Sequence, residues 1–219
     1  MRTKFSSELM ALTDELAHMA RLTHEASERA AAALAGSDLT AAYEVFALEE
    51  KVEIEHAKCE DRSVILLALE APVARDLRHV ITAMQIADDL LAVSRALSRV
   101  ADAVVRRYPN PAAPADILDR LAEMSSAVTH LIDTSVSVIA AHSPPRDRAL
   151  VPRDENVERL RVLLVELASA EDWPHGSAMA IDIALLAHQY ERAADHCVRV
   201  GRLIRFFHTG IPLYAQTEA

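Results

Sequence analysis

The feature that most constrains this chain is an internal echo. The stretch His188-Gln189-Tyr190-Glu191-Arg192-Ala193-Ala194-Asp195-His196 has the same apolar rhythm as Asp88-Asp89-Leu90-Leu91-Ala92-Val93-Ser94-Arg95-Ala96, shifted by 100 residues, and Arg99-Val100 returns as Arg199-Val200. At 100° per residue, His188, Glu191, Arg192, Asp195, Arg199 and Arg202 form one stripe, with Leu186, Tyr190, Ala194, Cys197, Gly201 and Ile204 opposite. Two amphipathic helices of one pattern, one per half, point to a unit written twice.

Each unit reads as three helices. In the first, Leu9, Leu12, Leu16, Met19 and Leu22 alternate steps of three and four, the spacing of a bundle seam. Gly36-Ser37-Asp38 ends that helix and caps the next, expected from about Asp38 to Leu69. Ala71-Pro72 breaks the chain, because proline disfavours α geometry in the residue before it, and a third helix follows over about Val73 to Tyr108. Pro109-Asn110-Pro111 closes the unit. In the second unit, helices are expected from about Pro114 to His142, then one that Pro152 either begins or kinks and that carries the seam Val157, Leu160, Leu164 and Leu167, and from Trp173-Pro174 to Thr209-Gly210. The fold class is all-α: six long helices in two tandem three-helix bundles, 1–110 and 111–219.

Composition narrows the function classes. Only four glycines occur and no GxGxxG or GxxxxGK[ST] string is present, so no phosphate-cradling loop of those types exists. A formal charge of -10 repels nucleic acid over most of the surface. Cys59 and Cys197 lie far apart in expected helices and read as buried small apolar residues in a reducing compartment. The start of the chain has no secretory pattern, and the apolar run 125–141 is broken by His130 and Asp133, so a cytoplasmic protein is expected. Long exposed helices with apolar ends favour a homodimer. No nucleophile with a nearby general base can be named, and the chain is not expected to be an enzyme.

Three motifs in order resemble one family across essentially the whole chain. Met1-Arg2-Thr3 with Glu8-Leu9, then Leu67-Ala68-Leu69-Glu70-Ala71-Pro72-Val73-Ala74-Arg75-Asp76-Leu77-Arg78, then Glu191-Arg192-Ala193-Ala194-Asp195-His196 are similar to the signatures of PhoU-type phosphate-transport regulators, in particular their high-G+C Gram-positive branch. The resemblance implies two tandem three-helix bundles. It further implies a negative regulator of the phosphate-starvation response that links a sensor histidine kinase to the ATPase subunit of a high-affinity phosphate ABC transporter, meeting the membrane only through those partners.

It also implies a metal site. Carried over by position, Asp154-x-x-x-Glu158 and Glu191-x-x-x-Asp195 would place four carboxylates from two neighbouring helices around iron, zinc or another divalent cation, with His188 as an added nitrogen ligand. The opposing reading is a solvated charged face, since Arg161, Arg192, Arg199 and Arg202 lie within a turn of these acids. In the first unit Glu49-x-x-x-Glu53 persists, but Leu91 and Arg95 replace the facing acid pair. Arg95 is expected to neutralise Glu49 or Glu53, leaving at most a displaced site at Asp88 and Asp89. Arg75, Asp76 and Arg78 either shape a partner surface or pair with Glu70. Arg99, Arg106, Arg107, Arg199, Arg202 and Arg205 form either a basic ridge for an acidic partner or a solvated set. Phe206, Phe207, Ile211, Leu213 and Tyr214 either cap the bundle or form a sticky site. Two alternatives from other classes are a di-iron-like carboxylate-bundle enzyme and a metal-free helical adaptor.

Overall fold

The computed structural model describes residues 2–141 and 155–216, with side chains from residue 5. Six α-helices follow one another: α1 (Arg2–Gly36), α2 (Leu39–Glu70), α3 (Ala74–Arg107), α4 (Ala115–Ala140), α5 (Glu155–Ala168) and α6 (Gly176–Thr209), with a short 3-10 turn at Leu213–Ala215. No strand occurs among the described residues.

Local chemistry sets the breaks. The Asp38 carboxylate accepts hydrogen bonds from the Thr40 and Ala41 amides at 2.8 and 3.2 Å, the N-cap geometry expected of it and an arrangement that contributes about 1 kcal/mol. The left-handed residue of that turn is Ser37, with φ 51°, while Gly36 stays helical. Ala71, with φ 44°, ends α2 ahead of Pro72, and α3 begins after Val73 in extended geometry. Gly210, with φ 75°, ends α6, and its amide donates to the Phe206 carbonyl at 2.8 Å.

The expected seams are the ones buried. Leu9, Leu12, Leu16, Met19 and Leu22 of α1 are inside, as are Leu186, Tyr190, Ala194, Cys197, Gly201 and Ile204 of α6. A buried leucine of this kind stabilises the fold by roughly 1.5–3 kcal/mol, so a handful of such positions outweighs every surface pair described below. The helices pack as two triplets, α1 with α2 and α3, and α4 with α5 and α6. Contacts of α3 with α6 and of α1 with α4 join them, and one continuous core runs through both. A linker runs between Arg107 and Ala115.

The described part of α5 is Glu155–Ala168, and it packs against α4 and α6. The interruption at Ser143-Pro144-Pro145, the start at Pro152 and Asp154 lie outside the described residues.

Candidate functional site

On the second unit, α5 and α6 lie side by side and bring Arg161 against Glu191. Arg161 Nε is 2.5 Å from Glu191 Oε1, and His188 Nδ1 is 3.4 Å from Oε2 of the same carboxylate. Both oxygens of Glu191 therefore face nitrogen. Arg161 reaches across the helix pair instead of back along its own helix to Glu158. Glu158 and Asp195 are exposed, and each has a partner of its own. Asp154, the fourth residue of the proposed set, is outside the described residues. Among the described residues no group of three or more His, Cys, Asp or Glu side chains converges where one ion could sit. The donor chemistry of Glu191 suits a hard cation, but a guanidinium stands beside it, and a metal there would have to displace it.

On the first unit the expected exchange is visible. Arg95 Nη2 donates to Glu53 Oε1 at 2.8 Å, with both side chains about half exposed, an arrangement that contributes at most about 1 kcal/mol. Two turns earlier on α3, Asp88 Oδ1 lies 2.7 Å from His56 Nε2 of α2. Leu91 is buried, so the face that carries Glu191 and Asp195 on α6 carries an apolar residue and a cation on α3.

A third cluster sits where the triplets meet. Asp89 of α3 is only 1% exposed. Its Oδ1 accepts from Arg199 Nη1 of α6 at 2.7 Å and lies 2.8 Å from His196 Nδ1, while Oδ2 is buried without a hydrogen bond. A buried carboxylate held by two partly exposed nitrogen groups of the opposite triplet is an ionic latch between the halves. Five turns further along α3 a second pair spans the same two helices: Arg107 pairs with Asp182 of α6, with Arg107 Nε donating at 3.0 Å.

With this geometry in view, comparison with known proteins settles the family. A family model described as the PhoU domain matches residues 16–105. The phosphate-specific transport system accessory protein PhoU homolog 2 of Mycobacterium tuberculosis is 35% identical over 210 residues, covering 96% of this chain and 99% of that protein. The chain belongs to the PhoU family. PhoU homolog 1 of Mycobacterium leprae is 33% identical over 96% of this chain and 95% of its own length. The fold agrees with that of solved PhoU structures. The phosphate transport system regulatory protein from Streptococcus pneumoniae superposes with a TM-score of 0.82 at 21% identity, covering 94% of this chain and 97% of that one. PhoU from Pseudomonas aeruginosa gives 0.80 at 20% identity, covering 94% and 99%.

The basic ridge read from the sequence of this PhoU chain is mostly internal wiring. Arg106 and Arg107 meet Asp182, Arg199 meets Asp89, and Arg202 donates to the Leu213 carbonyl at 2.8 Å. That last bond, with Gln216 Nε2 donating to the Arg202 and Ile211 carbonyls, folds the C-terminal segment back onto α6. Leu213 packs against the core, whereas Tyr214 stands out in solvent. Arg75 lies over the Phe207 ring at 5.7 Å. Beside it the tip of the α2–α3 hairpin exposes Ile65, Leu69, Val73 and Leu77. Leu69 and Val73 are 76% and 74% exposed, too open for core residues. The described residues contain no helix long and apolar enough to cross a membrane.

Proposed function

We propose that this PhoU-family chain is a non-catalytic, cytoplasmic negative regulator of the phosphate-starvation response. In this reading it docks on the ATPase subunit of a phosphate ABC transporter and on a sensor histidine kinase, and acts as a homodimer. The observation that carries the reading is full-length kinship, at 35% identity, to proteins named as accessory to a phosphate-specific transport system. The exposed apolar tip at Leu69, Val73 and Leu77, flanked by Arg75 and Asp76, supports it by offering a rigid helical end to a partner. Regulation requires that the chain bind the inactive kinase more tightly than the active one, since equal affinity shifts nothing.

The enzyme alternative finds less support. Carboxylate-bundle oxidases bury their acids within a four-helix core, and here Glu158 and Asp195 are exposed. The quartet Asp154, Glu158, Glu191 and Asp195 stays within this proposal as a surface cation site competing with Arg161; an ion there would cross-link α5 to α6. The regulatory reading is tested by capture from phosphate-replete cells. Wild-type chain should recover a transporter ATPase and a sensor kinase, and Val73→Asp/Leu77→Asp should lose at least one of them. Recovery of neither by the wild type would refute the coupling.

A further inference from the structure

We propose that the cleft between α2, α3 and α6 is a binding site for a phosphate-type oxyanion, built where the first unit carries Leu91 and Arg95 in place of an acid pair. The cleft has a volume of about 610 Å³, and its charged lining is Glu53 and His56 of α2, Asp88, Arg95 and Arg99 of α3, and Arg192 of α6. Two of these groups are already engaged: Arg95 with Glu53 at 2.8 Å and His56 with Asp88 at 2.7 Å. Arg99 and Arg192 are exposed, and neither is paired with a carboxylate among the described residues. Three guanidiniums against two carboxylates leave one positive charge in surplus. That surplus sits in a concavity of a chain whose formal charge is -10.

The repeat explains how the surplus arises. Arg199 is matched by Asp89, but the residue 100 positions after Asp89 is Gln189, which is neutral and whose side-chain oxygen is buried without a hydrogen bond. Arg99 has thus lost the carboxylate that its counterpart keeps. Arg192 stands where the first unit has Ala92, and Arg95 stands where the second has Asp195. Each substitution moves the cleft towards positive charge. Guanidinium forks from two different helices, Arg99 on α3 and Arg192 on α6, suit a tetrahedral dianion, which can accept from both at once. Two sources share that chemistry: free orthophosphate, and the phosphoryl group of a small monoester. The inference rests on the cleft alone, so its failure would leave the regulatory reading standing.

The test uses the full-length protein in a dilute chloride buffer, titrated calorimetrically with orthophosphate and, separately, with glycerol 3-phosphate. Saturable one-to-one binding of at least one anion is expected. Arg99→Gln and Arg192→Gln should each weaken it about tenfold or more, the effect of losing a charged hydrogen-bond donor. Glu53→Gln, which removes a negative charge and frees Arg95, should tighten it by about two- to fivefold, the range of an exposed pair. Arg161→Gln, on the other face, should leave it unchanged. Tighter orthophosphate identifies free phosphate as the ligand, and a tighter ester identifies a phosphorylated metabolite. The proposal is overturned if neither anion binds saturably, or if binding is indifferent to Arg99, Arg192 and Glu53. Thermal unfolding of each variant checks its fold, and the gain expected from Glu53→Gln is an outcome that misfolding cannot imitate.

Discussion

The Asp89 latch makes a prediction that runs against intuition about ion pairs: removing the arginine should harm the protein more than removing the acid. Arg199→Ala leaves a carboxylate that is 1% exposed facing His196 alone, with its second oxygen already unpartnered. Removing one partner of a buried pair costs roughly 3–5 kcal/mol, and because His196 remains we expect about 3 kcal/mol. Asp89→Ala loses charged hydrogen bonds worth about 1.5–3 kcal/mol each, shared here on one oxygen. It also relieves the burial of an incompletely satisfied carboxylate, about 1–3 kcal/mol, and frees Arg199, 44% exposed, to be hydrated. The net cost should be about 1 kcal/mol. Urea unfolding near neutral pH measures both, and the arginine variant should also melt about 6–12 °C below wild type. If Asp89→Ala proves as costly as Arg199→Ala or more so, the carboxylate is a net source of stability and the reasoning fails.

Other expectations are simpler to check. Burial, with Arg75 and His208 nearby, holds the His79 pKa below its usual 6.5 despite Asp76, and burial lowers that of His208 as well. The unfolded chain takes up these protons first, so the stability they contribute is complete above about pH 6.5 and declines as pH falls through that value and on through the folded pKa. His79→Gln, which can still meet Thr13, should flatten the fall in urea midpoint on acidification; an unchanged slope would exclude His79 as the cause. Burial pushes the Cys59 and Cys197 thiols up to about 12, so iodoacetamide should modify neither in the native protein and both on unfolding. Labelling of Cys197 in native protein would mean that the α6 core opens readily. Arg161→Gln should raise the divalent-cation content of protein equilibrated with metal and dialysed, and Glu191→Ala/Asp195→Ala should remove it, as read by elemental analysis. Equal content in wild type and Arg161→Gln would show that the guanidinium and the ion do not compete.

Much of the scaffold could be read from the residues because its causes are local or periodic. The α1 seam, the Asp38 cap and the stop at Gly210 each follow from side chains within a turn or two. The Arg95–Glu53 pair was legible from the repeat, which sets an arginine where an acid belongs. Arg161 was harder, because its partner depends on the register between α5 and α6, and spacing within one helix pointed to Glu158. The Asp89 latch left a signal that went unread: at three residues after Ile86 and four before Val93 the acid lies on the apolar stripe of α3, and an acid there demands a cation from the element packed against it.

The continuous core has a consequence for how the molecule can be divided. α3 closes its own triplet and also covers α6, so a chain cut after residue 110 would show water the face bearing Asp89 with neither imidazole nor guanidinium to meet it. Halves expressed apart should be poor solitary folders, yet mixed together they carry everything required to reassemble by complementation. Severing the linker is then a milder injury than losing either side of the joint.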